Sequence, residues 1–125
     1  MIVGSGVDLA DVARIRSAIE RYGERFLARI YTSAERAYVD RKKNRFERYA
    51  ARFAAKEAGM KAIGTGWKNG VTWRDIEVTN LPSVKPTLRF SGKAAEITER
   101  LGVKSVALSI SHTDALAIAE VILEN

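Results

Sequence analysis

Cysteine is missing from all 125 residues, which excludes disulfides, thiolate-bound zinc and thiol catalysis. That fits a reducing compartment, and the location expected is the cytoplasm. A single histidine, His112, rules out metal sites built on paired histidines within one chain. Proline occurs twice and glycine nine times, too few for collagen-like or proline-rich classes. No apolar run reaches the roughly 18–20 residues that span a bilayer. Residues 1–11 lack the basic segment and long apolar stretch of a signal peptide. With 46% hydrophobic and 29% charged residues, the chain has the make-up of a globular protein rather than a disordered one. Its length matches a single domain over residues 1–125.

The charge is uneven. Residues 1–61 carry 14 basic and 8 acidic side chains, a net +6, whereas residues 62–125 carry seven of each. An excess confined to one half suggests a polyanionic partner or a phosphorylated ligand. The plainer alternative is a solvated face. Nucleic acid is a poor candidate, because no helix-turn-helix, aromatic RNA-binding or zinc-finger pattern is present.

The element pattern points to an α+β protein with a mostly antiparallel sheet packed on a long helix. Residues 2–9 read as a strand whose glycines admit a close backbone or ligand. Asp11 can cap a helix over 12–22 with Val12, Ile15, Ala18, Ile19 and Tyr22 as its apolar stripe. Residues 25–30 add a short helical piece, and Thr32-Ser33-Ala34-Glu35 is a capping box. The clearest helix covers 45–62 and ends at Gly64-Thr65-Gly66. Beyond it the period changes. Residues 71–79 and 87–90 read as strands, and Ser91 caps a helix over 92–101. Residues 103–111 and 115–123 form a hairpin around His112-Thr113-Asp114.

Two carboxylates stand where carboxylates are costly. Asp8 lies in the first strand between Val7 and Leu9, and an isolated buried acid is unfavourable. On the long helix Phe46, Ala50, Phe53 and Glu57 fall within about 60° of one another, so Glu57 extends an apolar stripe. Two inward acids from different elements suit a hard cation such as Mg²⁺, which takes one or two carboxylates and fills its shell with water and phosphate oxygens. The alternatives are a cap or an arginine pair for Asp8, and a pair with Lys61 for Glu57.

Basic residues form two stripes. Arg14, Arg21 and Arg25 share a face if the first helix runs through Gly23. Arg45, Arg48, Arg52 and Lys56 lie within about 80° on the long helix. Such arginines bind phosphates or carboxylates bidentately. Gly64-Thr65-Gly66 follows a helix rather than opening one, so it is not a Walker loop. His112, flanked by Ser111 and Thr113, can donate to a phosphate. Adjacent Ser, His and Asp in a turn do not constitute a catalytic triad, which is defined by spatial roles.

Taken together, these segments resemble the holo-acyl-carrier-protein synthase family of small 4′-phosphopantetheinyl transferases. The matching stretches are Gly6-Val7-Asp8-Leu9, Ala13-Arg14-Ile15, Thr32-Ser33-Ala34-Glu35 and Arg52-Phe53-Ala54-Ala55-Lys56-Glu57-Ala58. Lys61-Ala62, Gly64-Thr65-Gly66, residues 73–78 and Ser109-Ile110-Ser111-His112-Thr113 follow in the family's order. Tyr31 stands where phenylalanine is usual, and Val84-Lys85-Pro86 where the family often has Gly-Lys-Pro.

The resemblance implies transfer of 4′-phosphopantetheine from coenzyme A to a serine of apo acyl-carrier protein, with Mg²⁺, by a homotrimer whose sites lie between subunits. It assigns the metal to Asp8 and Glu57. Lys61 and Gly64, Thr65 and Gly66 would lie at the pyrophosphate and pantetheine. Arg45, Arg52, Pro86, His112 and Thr113 would hold the adenosine and its 3′-phosphate. Arg14, Arg21 and Arg25 would meet the acidic carrier. Asp8, Glu57 and Lys61 would form the catalytic group.

Overall fold

The computed structural model describes residues 1–65 and 70–125. The first strand, β1, runs Ile2–Asp11, and Asp11 then caps α1 (Val12–Tyr22) by accepting from the Ala13 N–H at 2.9 Å. Gly23, at φ 53 and ψ −125, stops that helix, and α2 (Glu24–Ile30) starts afresh. The arginine stripe is therefore interrupted: Arg14 and Arg21 are on α1, whereas Arg25 is on α2. Helix α3 (Ser33–Asp40) opens on the Thr32–Glu35 capping box, with both reciprocal bonds formed.

Helix α4 (Arg45–Ile63) carries the molecule. It ends where Gly64 adopts the left-handed conformation at φ 80. Its Ala50, Ala51, Ala54, Ala55 and Ala58 are buried, so neighbours pack close to its backbone on several sides. Strand β1 takes this furthest. A Cβ on Gly4 would stand 2.1 Å from the Ala62 carbonyl oxygen, and one on Gly6 would stand 2.1 Å from that of Ala58. Only glycine permits this crossing.

The remaining elements form two sheets where one was expected. Strands β2 (Ile76–Asn80) and β3 (Pro86–Phe90) make an antiparallel pair. After α5 (Gly92–Leu101), β4 (Ser105–His112) and β5 (Leu116–Glu124) join β1 in the order β1-β5-β4, again antiparallel. The expected strand over 71–79 is shorter, because Trp73–Asp75 forms a 3₁₀ turn with Asp75 accepting from the Thr72 N–H. Ser91 precedes α5 but its side chain makes no capping bond.

One face of the three-stranded sheet packs on α4 through Gly6, Ala10, Ala117, Ala119, Val121 and Leu123. The opposite face leaves Val7 52%, Leu9 60%, Leu116 44% and Ile118 44% exposed, with Leu9 directly across from Ile118. Among the described residues no helix is long and apolar enough to cross a membrane.

Candidate active site

The glycine crossing sets Asp8 beside the last turns of α4. Lys61 Nζ donates to Asp8 Oδ1 at 3.1 Å and to the Val7 carbonyl at 3.0 Å. Glu57, half-buried one turn earlier, holds its proton more tightly than an ordinary glutamate. Burial is the main cause, Asp8's negative charge adds to it, and Lys61 opposes both. The anticipated Glu57–Lys61 pair is therefore replaced by a contact of Lys61 with Asp8.

Two neighbouring acids with one lysine bonded to Asp8 form an oxygen donor set short of positive charge. That chemistry fits Mg²⁺. No cluster of three or more His, Cys, Asp or Glu side chains is present among the described residues. The protein would thus offer two carboxylates and leave the other positions to water and phosphate oxygens.

A cleft of about 220 Å³ lies elsewhere on α4 and gathers Arg52, Pro86 and His112 with Tyr38, Arg48 and Asn80. Arg52 is buried, with 6% exposure, stacks on the Tyr38 ring at 4.4 Å, and leaves its Nε without a hydrogen-bond partner. A buried guanidinium nitrogen in that state wants an acceptor. His112 faces Glu47 through Nδ1 at 2.7 Å. Val84, in the turn before Pro86, sits at φ 67, a left-handed conformation that costs a β-branched residue about 1–2 kcal/mol.

Several residues singled out in the sequence lie apart from this cleft. Arg45 stacks on the Phe46 ring at 4.4 Å. Thr113 closes the β4–β5 turn, its hydroxyl accepting from the N–H groups of Ala115 and Leu116 at 3.2 and 3.1 Å. Thr65 lines a different cleft of about 650 Å³, with Ile63, Lys93, Ile97, Arg100 and Leu101. Gly64 ends α4, and Gly66 lies outside the described residues.

Lys56 does not belong to a ligand-facing stripe at all. It is fully buried and donates to Glu35 Oε1 at 2.6 Å, and burial lowers its pKa. The same carboxylate accepts from the backbone N–H of Thr32 and of Val78, each at 2.8 Å. This pair ties α3 and β2 to α4.

Arg14, Arg21 and Arg25 are exposed. Beside them is a groove that the sequence did not reveal, lined by Tyr22, Arg25, Phe26 and Arg29. The break at Gly23 creates it by turning α2 away from α1. Arg48, Tyr38, Asn80 and Glu47 were likewise missed as site residues. Arg48 alone had a signal, its place on the basic stripe.

The acids and the anion cleft do not converge within one chain. Glu57 is about 140° around α4 from Arg52 and about 180° from Arg48, and some 8–14 Å along the axis.

The model of the 4′-phosphopantetheinyl transferase superfamily matches residues 4–119. A protein of Solibacter usitatus (strain Ellin6076) named holo-[acyl-carrier-protein] synthase is 68% identical over 125 residues, covering all of both chains. A holo-[acyl-carrier-protein] synthase of Neisseria meningitidis has a crystal structure that superposes with a TM-score of 0.89 at 33% identity, covering all of both chains. The holo-(acyl-carrier-protein) synthase of Bacillus anthracis, solved in complex with CoA (3′,5′-ADP), is 39% identical with a TM-score of 0.78, covering 98% of this chain and 96% of that one. With a match over nearly its whole length and relatives this similar, the chain belongs to the 4′-phosphopantetheinyl transferase superfamily, within its holo-[acyl-carrier-protein] synthase group.

Proposed function

We propose that this protein moves the 4′-phosphopantetheine arm of coenzyme A onto a serine hydroxyl of apo acyl-carrier protein in the cytoplasm, as a one-domain enzyme acting in a homotrimer. The serine oxygen bonds to the phosphorus that bears the pantetheine arm. The P–O bond to adenosine 3′,5′-bisphosphate breaks, and the serine proton is released. The observation that carries the reading is the pair Asp8 and Glu57, brought together by the glycine crossing of β1 over α4.

Asp8 and Glu57 would hold Mg²⁺. When bound, the ion neutralises the pyrophosphate and the charge developing on the leaving group. Phosphoryl transfer asks for positioning and charge neutralisation more than for a protein nucleophile, so no serine of this chain is needed. Lys61, held by Asp8 and the Val7 carbonyl, adds a positive charge beside the pyrophosphate. The Glu57 carboxylate, with its raised proton affinity, is our candidate acceptor for the serine proton.

Arg52, Pro86 and His112, joined by Arg45 and Thr113 from outside the cleft, would receive the adenosine and its 3′-phosphate, while Gly64, Thr65 and Gly66 would border the pantetheine. Arg14, Arg21 and Arg25 would dock the acidic carrier, chiefly by speeding encounter. Trimer formation is supported by the exposed apolar face of Val7, Leu9, Leu116 and Ile118. It is supported equally by the separation of the acids from the anion cleft around α4, which a neighbouring subunit can bridge.

Incubation with coenzyme A, Mg²⁺ and an apo carrier protein, followed by mass spectrometry of the carrier, tests this. The carrier should gain the mass of phosphopantetheine with the wild type. Asp8→Asn and Glu57→Gln should each lose at least about a hundredfold in rate, the scale expected when a Lewis-acid site worth several kcal/mol is removed. An unmodified carrier with the wild type would sink the assignment.

A further inference from the structure

His112 closes β4 with about a quarter of its side chain exposed, and its Nδ1 lies 2.7 Å from Glu47 Oε1 on the first turn of α4. A carboxylate can only accept, so Nδ1 carries the proton in this contact. Nε2 is then a bare lone pair in the neutral ring and an N–H donor only in the imidazolium. The same ring lines the cleft that holds Arg48 and Arg52. A bare Nε2 would repel a phosphate oxygen there, whereas the imidazolium would bind it.

Arg48 and Arg52 present positive charge to the cleft that the ring lines, and Glu47 presents negative charge to the ring. Tyr38, the other titratable side chain of the cleft, is engaged by its ring beneath Arg52.

We infer that Glu47 is a positioning residue that fixes His112 through Nδ1, so that an anion entering this cleft binds together with a proton at Nε2. The inference rests on the reading of the cleft as the phosphate-binding part of the coenzyme A site. Glu47 touches no substrate itself. It acts by orienting the ring and by offsetting two guanidiniums.

His112 is the sole histidine, so ¹⁵N NMR of the imidazole reports on it alone. In the ligand-free protein the neutral ring should be the Nδ1–H tautomer. Glu47→Gln keeps an acceptor but removes the charge, and should hold the imidazolium less tightly. Glu47→Ala should release the ring to mixed tautomers. Coenzyme A affinity is then measured by calorimetry across about pH 6 to 9. The ligand's own phosphate titrates near pH 6, so His112→Gln supplies the profile without the imidazole.

Relative to that profile, wild-type affinity should fall by up to about tenfold per pH unit once the second proton is lost. In Glu47→Gln the fall should begin at lower pH, because the charge that offsets the two guanidiniums is gone. Identical pH profiles for wild type and Glu47→Gln, or an Nε2–H tautomer in the free wild type, would overturn the inference. If coenzyme A fails to bind the wild type at any pH, the functional reading falls and the proton coupling with it. The ligand-free spectrum then judges the Glu47 contact by itself.

Discussion

Two lysines five positions apart on α4 have opposite jobs, and each is set by its surroundings. Lys56 is fully enclosed and paired with Glu35, itself fully enclosed, whereas Lys61 is half exposed and paired with Asp8. Removing one partner of a buried pair strands the other charge, at a cost of about 3–5 kcal/mol. Lys56→Met should therefore lower unfolding stability on that scale. Lys61→Met should cost clearly less than Lys56→Met, because Lys61 itself is half exposed while Lys56 and Glu35 are both fully buried, yet it should cripple transfer to the carrier protein. Urea unfolding beside the carrier mass assay reads both. A stable Lys56→Met together with an unfolded Lys61→Met would reverse the assignment. Nothing in the local sequence separates the two residues. Glu35 reaches Lys56 from 21 positions away, and only the folded chain shows that Arg52 and Lys56 of the basic stripe are buried.

At the level of elements, local chemistry made much of the fold readable. Asp11, the Thr32–Glu35 box and the glycines at 64 and 102 mark helix ends where backbone hydrogen bonding requires them. Non-local pairing was less readable. The run from Val71 has strand-like composition, but Asp75 folds back onto the Thr72 N–H and delays β2 to Ile76. Gly23 could continue or break a helix, and its backbone conformation breaks it, so Arg25 belongs to α2 while Arg14 and Arg21 belong to α1. The strand glycines signalled a close approach without naming the neighbour, which is the backbone of α4. That crossing is testable by comparing one substitution at two sites. Gly64→Ala meets no atom within 4 Å and suffers only its φ of 80, a penalty of about 1–2 kcal/mol. Gly6→Ala collides with the backbone of Ala58 and Ala62, which cannot give way as a side chain can, so it should cost about 3 kcal/mol or more. Any folded Gly6→Ala protein should also have lost transfer, because Asp8 moves with β1. Equal stabilities for the two variants in urea would show that the strand does not lie on the helix as described.

For the whole molecule, the proposed function turns on where one chain puts its two acids and its anion cleft. The acids face one way from α4 and the Arg48, Arg52 and His112 cleft another, while an apolar sheet face lies uncovered. Asp8, Glu57, Arg52, Pro86 and His112 stand out one by one in the sequence. Their failure to meet does not, because it depends on which side of a single helix each neighbouring element covers. In the proposed homotrimer the acids of one chain would be set against the cleft of the next. Glu57→Ala and His112→Ala then damage opposite sides of each interface. If the two variants are unfolded, mixed in equal amounts and reassembled, about one interface in four should pair an intact acid side with an intact cleft side, as random assembly of a closed ring requires. Transfer activity should rise above the residual rate of either parent to about a quarter of wild type. Native mass spectrometry of isotopically labelled subunits verifies that mixed trimers have formed. Mixed trimers with no gain over the parents would mean that each chain completes its own site, and the uncovered sheet face would then need an explanation other than catalysis.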